Sequence, residues 1–327
     1  MAASSTPIAT AADTDESTMF IRVGTLNVAN AARDCKFPPY DLYSRRGQLR
    51  ELLATPDVVK CDAFFVQELG RSVGDRPAHE VDRVVQDPLA EAGLEIAARA
   101  KNNMTSEAPL QRETRTRSRV LAPIQTRTLW LNAGTRSFEH SVKFSLKSDP
   151  GCVEWGICLS VASCVFMPSL LRSGEERIVH LINLHAPSNP FDESRMIWAE
   201  ALAKFLRSFD LERDAVIAAG DTNAYHDRGG PDMLDVIVGT DDRVRLAHKT
   251  FPDEGDGIKK TFASFPHDTH PITGKAMFED IDHVFLAGCC DLEDARVLPN
   301  VYGTRAEEAH IPHSDHKAVV ATIRLRF

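Results

Sequence analysis

Four short segments carry side chains able to do chemistry: VQE ending at Glu68, INLH ending at His185, GDTN with Asp221 and Asn223, and HSDH with Asp315 and His316. Asn27 precedes them in TLN, and Asp282 stands between the last two in DIDHVF. Carboxylates and amides hold a hard cation beside a phosphate, and imidazole moves protons near neutral pH. Hydrolysis of a phosphodiester needs these acts together: phosphate charge masked, a water oriented, and the leaving oxygen stabilised. Glu68 closes an apolar run, where a carboxylate without a partner would be costly. A magnesium ion or an arginine would each satisfy it. Asp315 is a candidate second ligand for such an ion. In GDTN, Asp221 can orient or deprotonate a water, and Asn223 can donate to a phosphate oxygen. His316 can contact the phosphate or shuttle a proton, with Asp282 fixing its tautomer. Other hydrolytic chemistries fit less well. There is no GxSxG, the cysteines have no basic surround, and Pro312 interrupts the His310, His313, His316 spacing that zinc would use.

These residues need elements to position them. Residues 20–28, 62–67, 178–184, 214–219, 281–287 and 318–327 read as strands. The last alternates, with Val319, Ala321, Ile323, Leu325 and Phe327 on one face and Thr322, Arg324 and Arg326 on the other. Such a half-exposed pattern favours antiparallel sheets. Asn189-Pro190 followed by Asp192 and Glu193 opens a helix whose buried stripe is Trp198, Leu202, Phe205, Leu206 and Phe209. A second helix spans residues 44–54, and Pro56 ends it. Residues 121–166 read as a strand meander. Asn27, Glu68, His185 and Asp221 then stand at strand ends, while Asp282 and Asp315-His316 stand at strand starts. Antiparallel neighbours share an edge in that way, so all six positions can meet at one mouth.

Composition narrows the classes further. An apolar content of 43% with 26% charged residues describes an ordinary globular chain. No apolar run approaches a membrane span. Residues 1–18, rich in Ala, Ser and Thr with Asp13, Asp15 and Glu16, read as a disordered tail and not as a leader. Without a linker or repeat, residues 19–327 are expected to form one domain. Seven scattered cysteines give no disulfide framework and imply a reducing, intracellular compartment, cytoplasm or nucleus. The net charge of −9 counts against a broad surface for duplex DNA. A local groove is still open to the chain. Arg112, Arg115, Arg117, Arg119, Arg127 and Arg136 fall in a stretch holding one acid, Glu113, and read either as a solvated loop or as a phosphate-contacting rim.

The ordered set LN (27), QE (68), NxH (183–185), GDTN (220–223), ID (281–282) and SDH (314–316) resembles the endonuclease/exonuclease/phosphatase superfamily, with its DNase I-like fold. The resemblance implies an α/β fold: a four-layer α/β/β/α sandwich of two mainly antiparallel sheets flanked by helices. It implies a magnesium-dependent phosphoesterase, with manganese as the other option for the ion. Glu68 would be the principal metal ligand, with Asn27 beside it and Asp315 near. His185 would contact the scissile phosphate, Asp221 and Asn223 would position nucleophile and transition state, and Asp282 with His316 would form a carboxylate–imidazole pair. The motifs leave both Asp221 and His316 named as the general base. GDTN, with Thr222 in third place, is similar to the 5′-tyrosyl-DNA phosphodiesterases, although the following AYHDRGG departs from them. KKTFASFPHD resembles a substrate-covering loop whose Phe262 and Phe265 would stack on a base or pack in the core. The substrate expected is a nucleic acid or nucleotide phosphodiester. A sphingomyelinase-like lipid diesterase and a catalytically silent scaffold are the alternatives, the scaffold disfavoured because every acid and the terminal histidine are present.

Overall fold

Strands that are apolar on both faces must be covered on both sides, and that requirement sets the layers here. The computed structural model describes residues 19–28, 42–67, 87, 89–91, 94–100, 118–123, 133–145, 154–166, 177–186, 192–224, 233–240, 242–247, 262–263, 278–279, 281–298 and 316–326. In chain order the elements begin with β1 (Met19–Asn27), α1 (Leu42–Leu53), α2 (Pro56–Val59), β2 (Ala63–Gln67), β3 (Leu94–Ala100) and β4 (Ser118–Pro123). Next come β5 (Ala133–Ser145), β6 (Glu154–Phe166), β7 (Arg177–His185), α3 (Asp192–Leu206), β8 (Ala215–Asp221) and α4 (Met233–Val238). The chain closes with β9 (Val244–Leu246), β10 (Phe262–Ala263), β11 (Phe278–Glu279), β12 (Asp282–Gly288), β13 (Cys290–Val297) and β14 (Val319–Leu325).

Two six-stranded sheets result, ordered β13-β14-β1-β2-β4-β3 and β5-β6-β7-β8-β12-β9, with β10-β11 as a separate ribbon. Their inner faces meet in one core: Ile21, Val23, Ala63, Phe65 and Val319 from the first sheet, and Val179, Leu181, Ala215, Ile217, Val284 and Leu286 from the second. The outer face of the second sheet packs Ile182, Leu184, Val216 and Phe285 against Trp198, Leu202 and Leu206 of α3 and Leu234 and Ile237 of α4. On the outer face of the first, Leu26, Phe64, Val66 and Val320 pack against Leu49, Leu52 and Leu53 of α1 and Val58 of α2. This is the expected α/β/β/α sandwich. At about 25 cal/mol per Å² of apolar surface, these three clusters supply its main stabilisation.

Each sheet holds a central parallel pair, β1 with β2 and β7 with β8, flanked by antiparallel strands. The two sheets thus share one plan, a likeness that the sequence does not display as a repeat. Parallel neighbours need a crossover, and helices fill both: α1 and α2 between β1 and β2, and α3 between β7 and β8. The edge-sharing inferred from antiparallel neighbours is therefore only part of the reason the site residues converge. Two of the four relevant pairings, β1 with β2 and β7 with β8, are parallel, so C-terminal ends lie side by side directly there, while β14 with β1 and β12 with β8 are antiparallel.

Other expectations shift in detail. Pro56 does not merely end the first helix; it occupies the first turn of α2, where its missing N–H costs nothing. The segment expected as one meander is divided between the sheets: β4 joins the first, while β5 and β6 pair in the second; its TLWL segment lies outside the described residues, as does the tail 1–18. Phe209 falls beyond the end of α3 yet packs on the same cluster. On β14, Val320 is buried beneath the outer layer, so only Thr322 and Arg324 of its outer face are accessible. Among the described residues, Cys61, Cys289 and Cys290 are free thiols, and burial pushes those of Cys61 and Cys290 well up, the latter to about 12. No helix of the described residues is long and apolar enough to cross a membrane.

Candidate active site

The inner faces of the central strands change character along their length. β1 presents Ile21, Val23, Thr25 and then Asn27; β7 presents Val179, Leu181, Asn183 and then His185. β8 presents Ala215, Ile217, Ala219 and then Asp221, and β12 runs the other way from Asp282 through Val284 to Leu286. Period-two alternation thus carries an apolar core to one end of the sandwich and finishes each strand with a polar group. Register completes the convergence: His185 and Asp282 are both cross-strand partners of Asp221.

Asp221 is the hub. Its Oδ2 accepts hydrogen bonds from Asn27 Nδ2 at 2.9 Å and Asn223 Nδ2 at 3.3 Å, and lies 3.5 Å from His185 Nε2 and 3.8 Å from His316 Nε2. Its Oδ1 accepts from the Asn223 backbone N–H at 2.8 Å. Burial alone would push this carboxyl up, but the charge of His316, the hydrogen bond and charge of His185, and the Asn223 amide outweigh it. Together they bring Asp221 down to about 2. Asn223 itself stands at φ +49°, a left-handed position that Asn tolerates better than most residues, and its Nδ2 also donates to Ala186 O.

His316 and Asp282 form a buried pair, with Nδ1 to Oδ2 at 2.8 Å. A proton on Nδ1 satisfies Asp282 and leaves Nε2 facing Asp221. The two nitrogens of one imidazole are therefore addressed by two buried carboxylates from the other sheet.

Asp221, Asp282 and His316 also place one ligand atom each within 4.8 Å of one another, a set able to hold a cation. Two buried carboxylates this close suit a divalent ion, although a hard cation such as magnesium prefers oxygen to imidazole. This set differs from the ligands expected from sequence. Of those, Asn27 is present, but its amide nitrogen is directed at Asp221, so only its carbonyl oxygen has lone pairs to offer. Glu68 and Asp315 lie outside the described residues. So do Arg112, Arg115, Arg117, Arg127 and Phe265, while Arg119, Arg136 and Phe262 are placed by backbone alone in β4, β5 and β10.

Two features escaped the sequence reading. Thr222 Oγ1 donates to Ile281 O at 2.8 Å, and its contact with His283 Nδ1 at 2.8 Å therefore has the imidazole as donor. This pins the GDTN turn to β12. Below the site, Thr25, Gln67 and Asn183 form a second, fully buried polar layer. Its signal was available in the sequence: each is a polar residue on the inward parity of an apolar strand, and Thr25 and Asn183 stand two positions before a site residue.

No protein-family model matches the sequence, and no curated protein matches it either. Solved structures do. An endonuclease/exonuclease/phosphatase family protein from Bacteroides thetaiotaomicron is 15% identical at a TM-score of 0.59, with 94% of this chain and 98% of that one covered. D. rerio TDP2 complexed with a single-strand DNA product is 14% identical at 0.56, covering 93% and 98%. The human Nocturnin catalytic domain with a bound sulfate anion is 15% identical at 0.55, covering 94% and 96%. At these identities the likeness is one of fold. The chain has the DNase I-like fold of the endonuclease/exonuclease/phosphatase superfamily, with a resemblance to TDP2.

Proposed function

We propose that the protein is a magnesium-dependent phosphodiesterase acting on nucleic acid or a nucleotide-containing substrate. One observation carries this reading: His316 lies between two buried carboxylates, bonded to Asp282 through Nδ1 and facing Asp221 through Nε2. A carboxyl held at about 2 is a weak base at neutral pH, so Asp221 serves as a fixed anion that orients the attacking water. His316 handles the proton, its tautomer set by Asp282. Asn223 and His185 face the phosphate, the first as an amide donor and the second as an imidazole held against Asp221. Glu68, Asn27 and Asp315 are the residues that would hold the ion, manganese being able to replace magnesium. When bound, the ion supplies masking of the phosphate charge and a Lewis acid for its oxygen. Arg115, Arg117, Phe262 and Phe265 are the candidates for gripping and stacking the nucleotides. The fold shared with D. rerio TDP2, solved with a single-strand DNA product, supports a single-stranded substrate.

The test uses a labelled single-stranded oligonucleotide carrying a 5′-phosphotyrosyl end, incubated with magnesium and either wild type or Asp221→Ala. A ladder absent with the variant identifies a nuclease. Loss of the tyrosyl group alone identifies a tyrosyl-DNA diesterase. An untouched oligonucleotide overturns the nucleic-acid reading and directs the search to lipid and small phosphodiesters.

A further inference from the structure

The buried polar layer beneath the site has no role in the hydrolytic reading, yet it is built with care. Gln67 Nε2 donates across the sandwich to Asn183 Oδ1 at 2.7 Å and within its own sheet to Thr25 Oγ1 at 3.1 Å. Asn183 Nδ2 returns the link by donating to Val66 O at 3.0 Å. All three side chains are fully buried, and the inward residues that precede them from Ile21 on β1, Ala63 on β2 and Val179 on β7 are apolar. Gln67 also lies against the backbone that delivers Asp221: a Cβ added at Gly220 would stand 3.0 Å from Gln67 Nε2. Each partner is one step from a site group. Gln67 is registered with Asn27 on the neighbouring strand, and Asn183 precedes His185 by two residues on the same face.

Apolar side chains would fill this space as well, but they would not fix it. Hydrophobic contact is non-directional, so two greasy faces can slide by fractions of an ångström at little cost. A hydrogen bond between amides weakens steeply with distance and misalignment, and a fully satisfied buried network rigidifies what it joins. The site needs that rigidity because it is split. Asn27 belongs to the first sheet and Asp221 to the second, and they must meet at 2.9 Å. We propose that Gln67 and Asn183 form an inter-sheet amide clamp that sets the spacing of the two half-sites. They are positioning residues for the reaction proposed above, on which their kinetic consequence rests.

The experiment compares wild type with Asn183→Leu and with the double variant Gln67→Met/Asn183→Leu, each by crystal structure and by magnesium-dependent hydrolysis of bis(p-nitrophenyl) phosphate. Asn183→Leu leaves the buried Gln67 amide without its acceptor across the sandwich, whereas the double variant removes that amide and instead takes the partner of Thr25 Oγ1, so the two are stressed differently and one folded variant suffices for the test. The expected result is an Asn27–Asp221 separation beyond 3.5 Å, with kcat lowered at least tenfold and KM changed less than threefold. Retention of the Asn27–Asp221 hydrogen bond in a folded variant overturns the clamp, whatever the activity. So does an unchanged kcat beside an active wild type. A wild type without diesterase activity refutes the proposed function instead, and the crystallographic distance still decides the clamp.

Discussion

Replacing Asp282 by Asn is the sharpest perturbation of the proposed chemistry, because it removes one charge and almost no volume. The carboxylate is fully buried and accepts from His316 Nδ1 at 2.8 Å. As His316 takes up a proton in the transition state, the charge centres of imidazolium and carboxylate stand roughly 4 Å apart. With an effective dielectric constant of about 20, that pair is worth about 4 kcal/mol, or about 10³-fold in rate. The amide can also turn its NH₂ toward Nδ1 and reverse the tautomer, which adds to the loss and removes nothing from it. Asp282→Asn should therefore lower kcat by about 10³-fold with magnesium and bis(p-nitrophenyl) phosphate, while KM changes little. Circular dichroism and a melting curve establish that the variant is folded. A folded Asp282→Asn enzyme within tenfold of wild-type kcat would refute the view that His316 acts as a charged group held by Asp282.

Three further outcomes follow from the same geometry. Asp221 is lowered from 3.8 to about 2, so it contributes about 2 kcal/mol of stability above pH 4, of which roughly half is lost by pH 3 as the carboxyl is protonated. The stability gap in urea between wild type and Asp221→Asn should accordingly narrow by about 1 kcal/mol from pH 5 to pH 3, and a constant gap would contradict the depressed carboxyl. Thr222→Val keeps the shape and the backbone N–H to Ile281 O but takes the hydroxyl away from both Ile281 O and His283 Nδ1, which should cost about 1–3 kcal/mol in urea unfolding; a neutral variant would mean the GDTN turn is not pinned by this side chain. Gly220→Ala would place a Cβ 2.0 Å from Leu184 O at φ +150°, and backbone cannot step aside, so a loss above about 4 kcal/mol is expected. Recovery of this variant with a wild-type melting temperature would show that β7 and β8 can separate.

How much of this was legible in the sequence depends on which physical signal each residue gives. Strand existence was clear because Ala215 to Ala219 is a continuous apolar run and Ile178 to Leu184 is one interrupted only by His180 and Asn183, patterns that a doubly covered strand tolerates. Asp221, Asp282 and His316 were legible for the complementary reason, as ionisable residues set against such runs. Strand direction was not legible, because side-chain alternation is the same in parallel and antiparallel pairing. The parallel pairs β1 with β2 and β7 with β8 are decided by the helices that connect them. Gln67 and Asn183 were passed over because an amide gives a weaker signal than a charge. Their importance lies in a partner 116 positions away, which no local pattern contains.

That separation points to the reason the site is built as it is. Asn27 meets Asp221, His316 meets Asp282 and Asp221, and Gln67 meets Asn183; each contact joins the sheet of β1 and β14 to the sheet of β8 and β12. Neither sheet alone completes the Asp282–His316–Asp221 arrangement, since β8 and β12 carry the acids and the segment entering β14 carries His316. Burying Asp221 and Asp282 in one sheet would be costly without the imidazole and amide donors of the other. The apolar core between the sheets offsets that cost and drives their docking, while the polar groups at its end specify the register in which docking is complete. A sandwich that closed one residue out of step would bury Asp282 without the His316 imidazole and Asp221 without the Asn27 amide. The charges that make the site chemically useful are thus the same charges that select the native closure.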